Sequence, residues 1–123
     1  MDRHKRFNKR RIRRKRHIRK SVMGTPERPR LTVTRSLKNI YCQVVDDLAG
    51  VTLCSASSRV PELRDQVGSD GGNRKGAEQV GAFLAGRLKE LGIGKVAFDR
   101  NGYRYHGRVA ALCDAVRKEG IQV

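Results

Sequence analysis

At 123 residues, with 28 Lys and Arg against 12 Asp and Glu and a net charge of +16, the chain has the length of one domain and the charge of a polyanion binder. It can bury one modest core, and no apolar run approaches the roughly 20 residues of a membrane-crossing helix. Three widely spaced cysteines without a CxxC pair (Cys42, Cys54 and Cys113) make neither a zinc framework nor a secreted disulfide scaffold, so the expected setting is the reducing cytoplasm, with no membrane partner, no cofactor and no small-molecule substrate.

The charge is uneven. Residues 1–30 hold 14 Lys and Arg against two acids, Asp2 and Glu27, while the remaining 93 residues hold 14 against 10. Residues 1–24 form a basic arm carrying Arg3, Lys5, Arg6, Lys9, Arg10, Arg11, Arg13, Arg14, Lys15, Arg16, Arg19 and Lys20, with no acid between Arg3 and Pro26. Such a block repels itself, so it is predicted to be disordered in isolation and to order on a polyanion, for which helix is one route. Mitochondrial transit peptides share its Arg-rich, acid-poor make-up, but Phe7, Ile12 and Ile18 make no apolar helix face. Thr25-Pro26-Glu27-Arg28-Pro29 is a hinge, because each proline drives the residue before it out of the helical region. Residues 25–123 are the body, whose folded part starts near Arg30.

In the body, residues 31–35 alternate and are rich in β-branched side chains, predicting a first strand. After a turn at Ser36–Asn39, residues 40–45 predict a second strand. Asp46-Asp47-Leu48-Ala49-Gly50 is a hairpin turn, and residues 51–56 are a third strand. Which face of this antiparallel meander is buried stays open, since both sets of alternate residues contain apolar groups. Residues 57–72 are a loop with room for a short helical turn at 60–67. Asn73 is the N-cap of a helix reaching Leu91, with Ala77, Val80, Gly81, Leu84, Leu88 and Leu91 on one face and Gly92 as the stop. Residues 95–99 are a short buried strand, 100–107 a loop, and 108–119 a second helix whose apolar face is Val109, Leu112, Cys113 and Val116. The expected fold is a small two-layer α/β sandwich. Its mixed sheet has a three-strand antiparallel meander plus one further strand, covered by two helices, and a basic N-terminal extension precedes it.

Four features point to RNA. The arm can neutralise backbone phosphates and release their counterions. The loop Asp99-Arg100-Asn101-Gly102-Tyr103-Arg104-Tyr105-His106-Gly107-Arg108 interleaves Arg100, Arg104 and Arg108 with Tyr103, Tyr105 and His106, a composition suited to stacking on splayed bases. The simpler reading is that one tyrosine plugs the core and His106 caps the helix. Arg74, Lys75 and Arg108 fall in the first turns of helices, where cations oppose the dipole unless a phosphate joins them. The turn with Arg35, Ser36, Lys38 and Asn39 supplies cations and short polar groups at one sheet end, and Arg30 sits at the seam of arm and body.

Catalytic signals are weak. Gly92-Ile93-Gly94 follows a helix rather than a strand, and Lys75-Gly76 lacks the Ser or Thr that a phosphate-binding loop needs after its lysine. Asp46, Asp47 and Asp99 suggest a metal-dependent nuclease, but turn-making by Asp46 and Asp47 and an Arg partner for Asp99 explain them more simply. The three histidines show no ligand or catalytic spacing.

Arg28-Pro29-Arg30-Leu31-Thr32-Val33, then Arg35-Ser36, Lys38, Ile40-Tyr41, Gln43-Val44 and Asp46-Asp47, resemble the first sheet of the bacterial large-subunit ribosomal protein family numbered eighteen. Phe98-Asp99-Arg100-Asn101-Gly102-Tyr103-Arg104-Tyr105-His106-Gly107-Arg108-Val109 resembles that family's other signature, and the likeness runs over nearly the whole chain. The resemblance implies a non-enzymatic structural role. It implies binding to 5S rRNA and attachment of it to the large-subunit rRNA in the central protuberance, beside neighbouring ribosomal proteins. By position it implies RNA contact at Arg35, Ser36, Lys38 and Asn39, and again at Tyr103, Tyr105, His106 and Arg108. Leu37 stands where the family usually has Asn, Asn101 where it often has Gly, and Ala110 where Lys is common. Cys42, Cys54 and Cys113 take places often held by Ala.

Overall fold

A computed structural model describes residues 9–10, 12–14, 16–17, 23–68 and 72–123. Of the arm cations, Arg3, Lys5, Arg6, Arg11, Lys15, Arg19 and Lys20 lie outside the described residues. The body runs β1 (Arg30–Arg35), β2 (Ile40–Asp46), β3 (Val51–Ser57), α1 (Pro61–Val67), α2 (Arg74–Glu90), β4 (Ala97–Asp99) and α3 (Gly107–Lys118). The sheet order is β3-β2-β1-β4; the first three strands are antiparallel, and β4 joins β1 in parallel.

Register settles which face is inside. Leu31 lies opposite both Val44 and Phe98, Val33 opposite Cys42, and Cys42 opposite Ala56. Leu31, Val33, Cys42, Val44 and Ala56 are buried under Ala77, Val80, Leu84 and Leu88 of α2 and Val109, Leu112 and Val116 of α3. Arg30, Thr32 and Thr34 therefore belong to the sheet's other face. Cys42 faces Ala56, not Cys54, and both cysteines are free. Burial pushes the Cys42 thiol up to about 12, so it packs as a small hydrophobe.

The helix ends follow local chemistry. Asn73 Oδ1 accepts the Gly76 N–H at 3.2 Å, capping α2. At the other end Gly92 has φ +75°, while the Gly92 and Ile93 N–H groups bond the Lys89 and Leu88 carbonyls at 3.0 and 2.9 Å, a glycine-terminated stop. Gly81 lets α2 and α3 touch: a Cβ there would stand 2.6 Å from the Leu112 carbonyl oxygen and 2.9 Å from Ala115 Cβ.

One expectation shifts. The strand expected over 95–99 is regular only at Ala97–Asp99, because Lys95 and Val96 pair instead with Gln122 near the C-terminus. The described arm residues Lys9, Arg10, Ile12, Arg13, Arg14, Arg16 and His17 are helical and exposed, the ordered form the sequence offered as one route. Lys and Arg are good helix formers, and a bond from Arg14 to the body helps hold this stretch.

Topology places the function. β1 and β4 run in the same direction, and the chain after each reaches one end of the sheet: the 36–39 turn and the 100–106 loop. Both α2 and α3 begin at that end. Gly72 packs there, so close that a Cβ would lie 2.7 Å from the Leu37 carbonyl oxygen, and Arg108 Nη1 donates to the Asn39 carbonyl at 3.3 Å. The β2–β3 hairpin and the root of the arm occupy the opposite end.

Candidate RNA-binding surface

Tyr103 is the strut of the turn-and-loop end. Its hydroxyl accepts the Arg35 N–H at 3.4 Å and donates to the Arg35 carbonyl at 3.3 Å, and the Arg35 guanidinium lies over its ring, 4.9 Å from the centroid. Arg100 Nη1 donates to the Tyr103 carbonyl at 2.9 Å. Arg14, from the arm, donates Nε–H to the neighbouring Gly102 carbonyl at 2.9 Å. Arg108 completes the group. Burial and then repulsion from Arg35 push its pKa down, only partly offset by Tyr103. Four guanidiniums thus gather around one tyrosine, at the end where two helix N-termini also point. Neither helix has an acid in its first turn. Such a place favours an anion.

The loop holds its shape through Asn101. Its φ of 56° lies in the left-handed region, which explains the Gly often found there in the similar family. Its side-chain amide donates to the Val33 carbonyl at 3.0 Å and to Thr34 Oγ1 at 3.2 Å, tying the loop to β1. The first turn closes by Ser36 N–H to the Asn39 carbonyl at 2.8 Å and Asn39 N–H to Ser36 Oγ at 3.2 Å. Asn39 Oδ1 accepts from Ser58 Oγ at 3.1 Å. Ser36 and Asn39 therefore shape the corner, while Arg35 and Lys38 present charge.

The other predicted residues are placed differently from one another. Arg74 and Lys75 are exposed at the start of α2, beside Gly72 and hence near the first turn. Arg104 and His106 are exposed; His106 occupies the N-cap position of α3 but makes no side-chain cap. Tyr105 turns toward α3. Its ring meets Phe98 edge-on at 5.8 Å, and its hydroxyl donates to Asp114 Oδ1 at 3.0 Å and accepts from Arg117 Nη1 at 2.9 Å. So Tyr103 braces the two corners and packs against the core, as the plug reading expected of one tyrosine, while Tyr105 braces loop to helix and stays exposed. Lys9, Arg10, Arg13 and Arg16 are exposed along the arm.

Arg30 is not on the surface. It is 9% exposed and forks onto Asp47, Nε to Oδ2 at 2.9 Å and Nη2 to Oδ1 at 3.0 Å, while Nη1 reaches the fully buried Asp99 at 2.8 Å. The Asp47 bond holds its pKa up against the opposing effect of burial. This guanidinium organises the inside of the body instead of offering charge to a ligand. The same triad answers the nuclease reading, since Asp47 and Asp99 are held by arginine and Asp46 makes the hairpin turn, accepting the Leu48 and Ala49 N–H groups at 3.0 and 3.3 Å. No group of three His, Cys, Asp or Glu side chains suited to a metal occurs among the described residues. Sequence reasoning expected an Arg partner for Asp99 without naming Arg30, and it missed the fork from Arg30 to Asp47 and the Gly102 acceptor.

A compact α/β sandwich with a cationic arm docked on a cluster of arginines around an aromatic ring has the build of a small nucleic-acid-binding protein. Comparison with known proteins narrows this. The family model described as ribosomal L18 of archaea, bacteria, mitochondria and chloroplast matches residues 4–123. Among similar proteins, the large ribosomal subunit protein uL18 of Thermotoga neapolitana is 54% identical over 115 residues, covering 94% of this chain and 93% of its own length. The protein of the same name from Symbiobacterium thermophilum is 51% identical over 122 residues, covering 99% and 96%. The chain belongs to the ribosomal L18 family, and it is a structural, non-enzymatic component of the large ribosomal subunit.

Proposed function

We propose that this chain binds 5S rRNA and fastens it to the large-subunit rRNA in the central protuberance, beside neighbouring ribosomal proteins. The observation that carries the reading is the convergence of Arg14, Arg35, Arg100 and Arg108 around Tyr103, at the end where α2 and α3 both begin. Arginine suits the task because its planar fork bonds two phosphate oxygens at once and stacks on bases. The arm supplies charge over a longer track and the corner fixes register.

The test compares the full chain with one lacking residues 1–20, measuring affinity for folded 5S rRNA against duplex DNA of equal length over a salt series. Each neutralised phosphate contributes about −0.7 to −0.9 to the slope of log affinity on log salt. If half of the arm cations meet phosphate, deletion flattens the slope by about 4–5. An unchanged slope removes the arm from the interface, and equal affinity for the DNA removes the 5S assignment.

A further inference from the structure

We propose that Asp47 is a positioning residue for RNA binding: its carboxylate clamps the root of the arm and sets the direction in which the arm leaves the body. This inference rests on the reading that the arm meets RNA.

The hairpin does not need Asp47, because Asp46 makes the turn. Asp47 instead faces the point where the arm joins the body. The Gly24 N–H donates to Asp47 Oδ2 at 2.7 Å, and the Asp47 N–H donates to the Gly24 carbonyl at 3.0 Å, so the two residues close on each other through both backbone and side chain. Arg30 then holds the same carboxylate by a two-pronged fork and is itself anchored to the buried Asp99. Gly24 lies flush in this site. A Cβ on it would collide with the Val45 carbonyl oxygen and stand 2.6 Å from the Arg30 nitrogen. Hinge, first strand and hairpin thus meet at one carboxylate, and β4 joins them through Arg30.

The geometry gives that carboxylate leverage. The arm is tied to the body again at Arg14, which bonds Gly102 at the far end of the sheet. The described ties of the arm to the body therefore sit at opposite ends of the sheet, one at Asp47 and one at Arg14.

The sign of the effect separates this role from simple electrostatics. Removing an acid from a protein that binds a polyanion raises affinity by Coulomb attraction alone. A clamp predicts the reverse, and only while the arm can contribute.

The experiment is a double-mutant cycle in the full-length chain, read as affinity for 5S rRNA. One change is Asp47→Ala; the other is the set Lys9→Gln, Arg10→Gln, Arg13→Gln and Arg14→Gln. In the natural background Asp47→Ala lowers affinity about 10-fold and flattens the salt slope, an effect within the usual range for coupled sites. In the neutralised-arm background it produces no loss. Amide exchange at Gly24 speeds up in both. An equal loss in both backgrounds overturns the proposal by showing that Asp47 only stabilises the fold. Unchanged or tighter binding in the natural background also overturns it. If the four arm substitutions leave both affinity and slope at their natural values, the arm does not meet RNA, and the proposal falls with that reading, distinguishably from failure of the clamp. Should Asp47→Ala not fold, Gly24→Ala, whose Cβ would collide with the Val45 carbonyl oxygen and so open the same joint while leaving Asp47 and Arg30 paired, carries the same comparison.

Discussion

Gly81 and Gly86 lie in the same helix five residues apart, and their replacement by alanine is expected to move stability in opposite directions. In a helix interior, alanine gains about 0.5–1 kcal/mol over glycine from backbone entropy alone. At Gly86 nothing lies within 4 Å of the added Cβ, so that gain stands and Gly86→Ala stabilises the protein. At Gly81 the Cβ meets the Leu112 carbonyl oxygen at 2.6 Å and Ala115 Cβ at 2.9 Å. A backbone carbonyl in a packed helix cannot swing aside, so α2 and α3 must separate, and overpacking of this kind costs about 1–3 kcal/mol. The net for Gly81→Ala is a loss of up to about 2.5 kcal/mol, read as a fall in melting temperature at about 4–8 °C per kcal/mol. Thermal and urea unfolding of the two variants and the natural protein measure it. The consequence reaches function, because α2 and α3 both start at the arginine cluster, and their spacing sets the distance between Arg74 and Arg108. A Gly81→Ala protein as stable as the Gly86→Ala protein would refute the close helix contact and the spacing argument with it.

Arg30→Met leaves Asp99 buried with a charge no longer balanced by Arg30; losses of about 3–5 kcal/mol are usual for a broken buried pair, and urea unfolding should show one, in contrast to the small stability change expected for an exposed cation such as Lys38→Met. Asn101→Gly relieves the positive φ but loses the bonds to β1, while Asn101→Ala loses both, so calorimetry should rank natural, then Gly, then Ala, with the last about 1–2 kcal/mol below the first. The Cys42 thiol is pushed up from 9.0 to about 12 by burial. Because the folded-state value is the raised one, its contribution to stability is complete below pH 9 and is lost as pH rises toward 12. Cys42→Ala should therefore lose less stability than the natural protein over that alkaline window, and native Cys42 should resist maleimide at pH 7 until the protein is unfolded.

Much of this molecule could be read from order and spacing. The cationic arm needs only composition: so many like charges cannot pack on themselves, whatever follows. The strands around Val33, Cys42 and Cys54, the Asn73 cap and the Gly92 stop are local, since β-branching, side-chain capping and the left-handed freedom of glycine act within a few residues. Long-range pairing decided the rest. Which alternate residues of β1 face inward depended on the register with β2 and β4 and on the helices that cover one side, and no local rule contains that information. Arg30 was expected to meet RNA at the seam of arm and body, until Asp47 and Asp99, distant in sequence, closed on it. Tyr103 and Arg35 became one site because parallel β1 and β4 deliver their following loops to the same end of the sheet. Charge and periodicity are properties of the chain and survive in the sequence; convergence is a property of the fold, and it appears only when segments far apart in order are packed against each other.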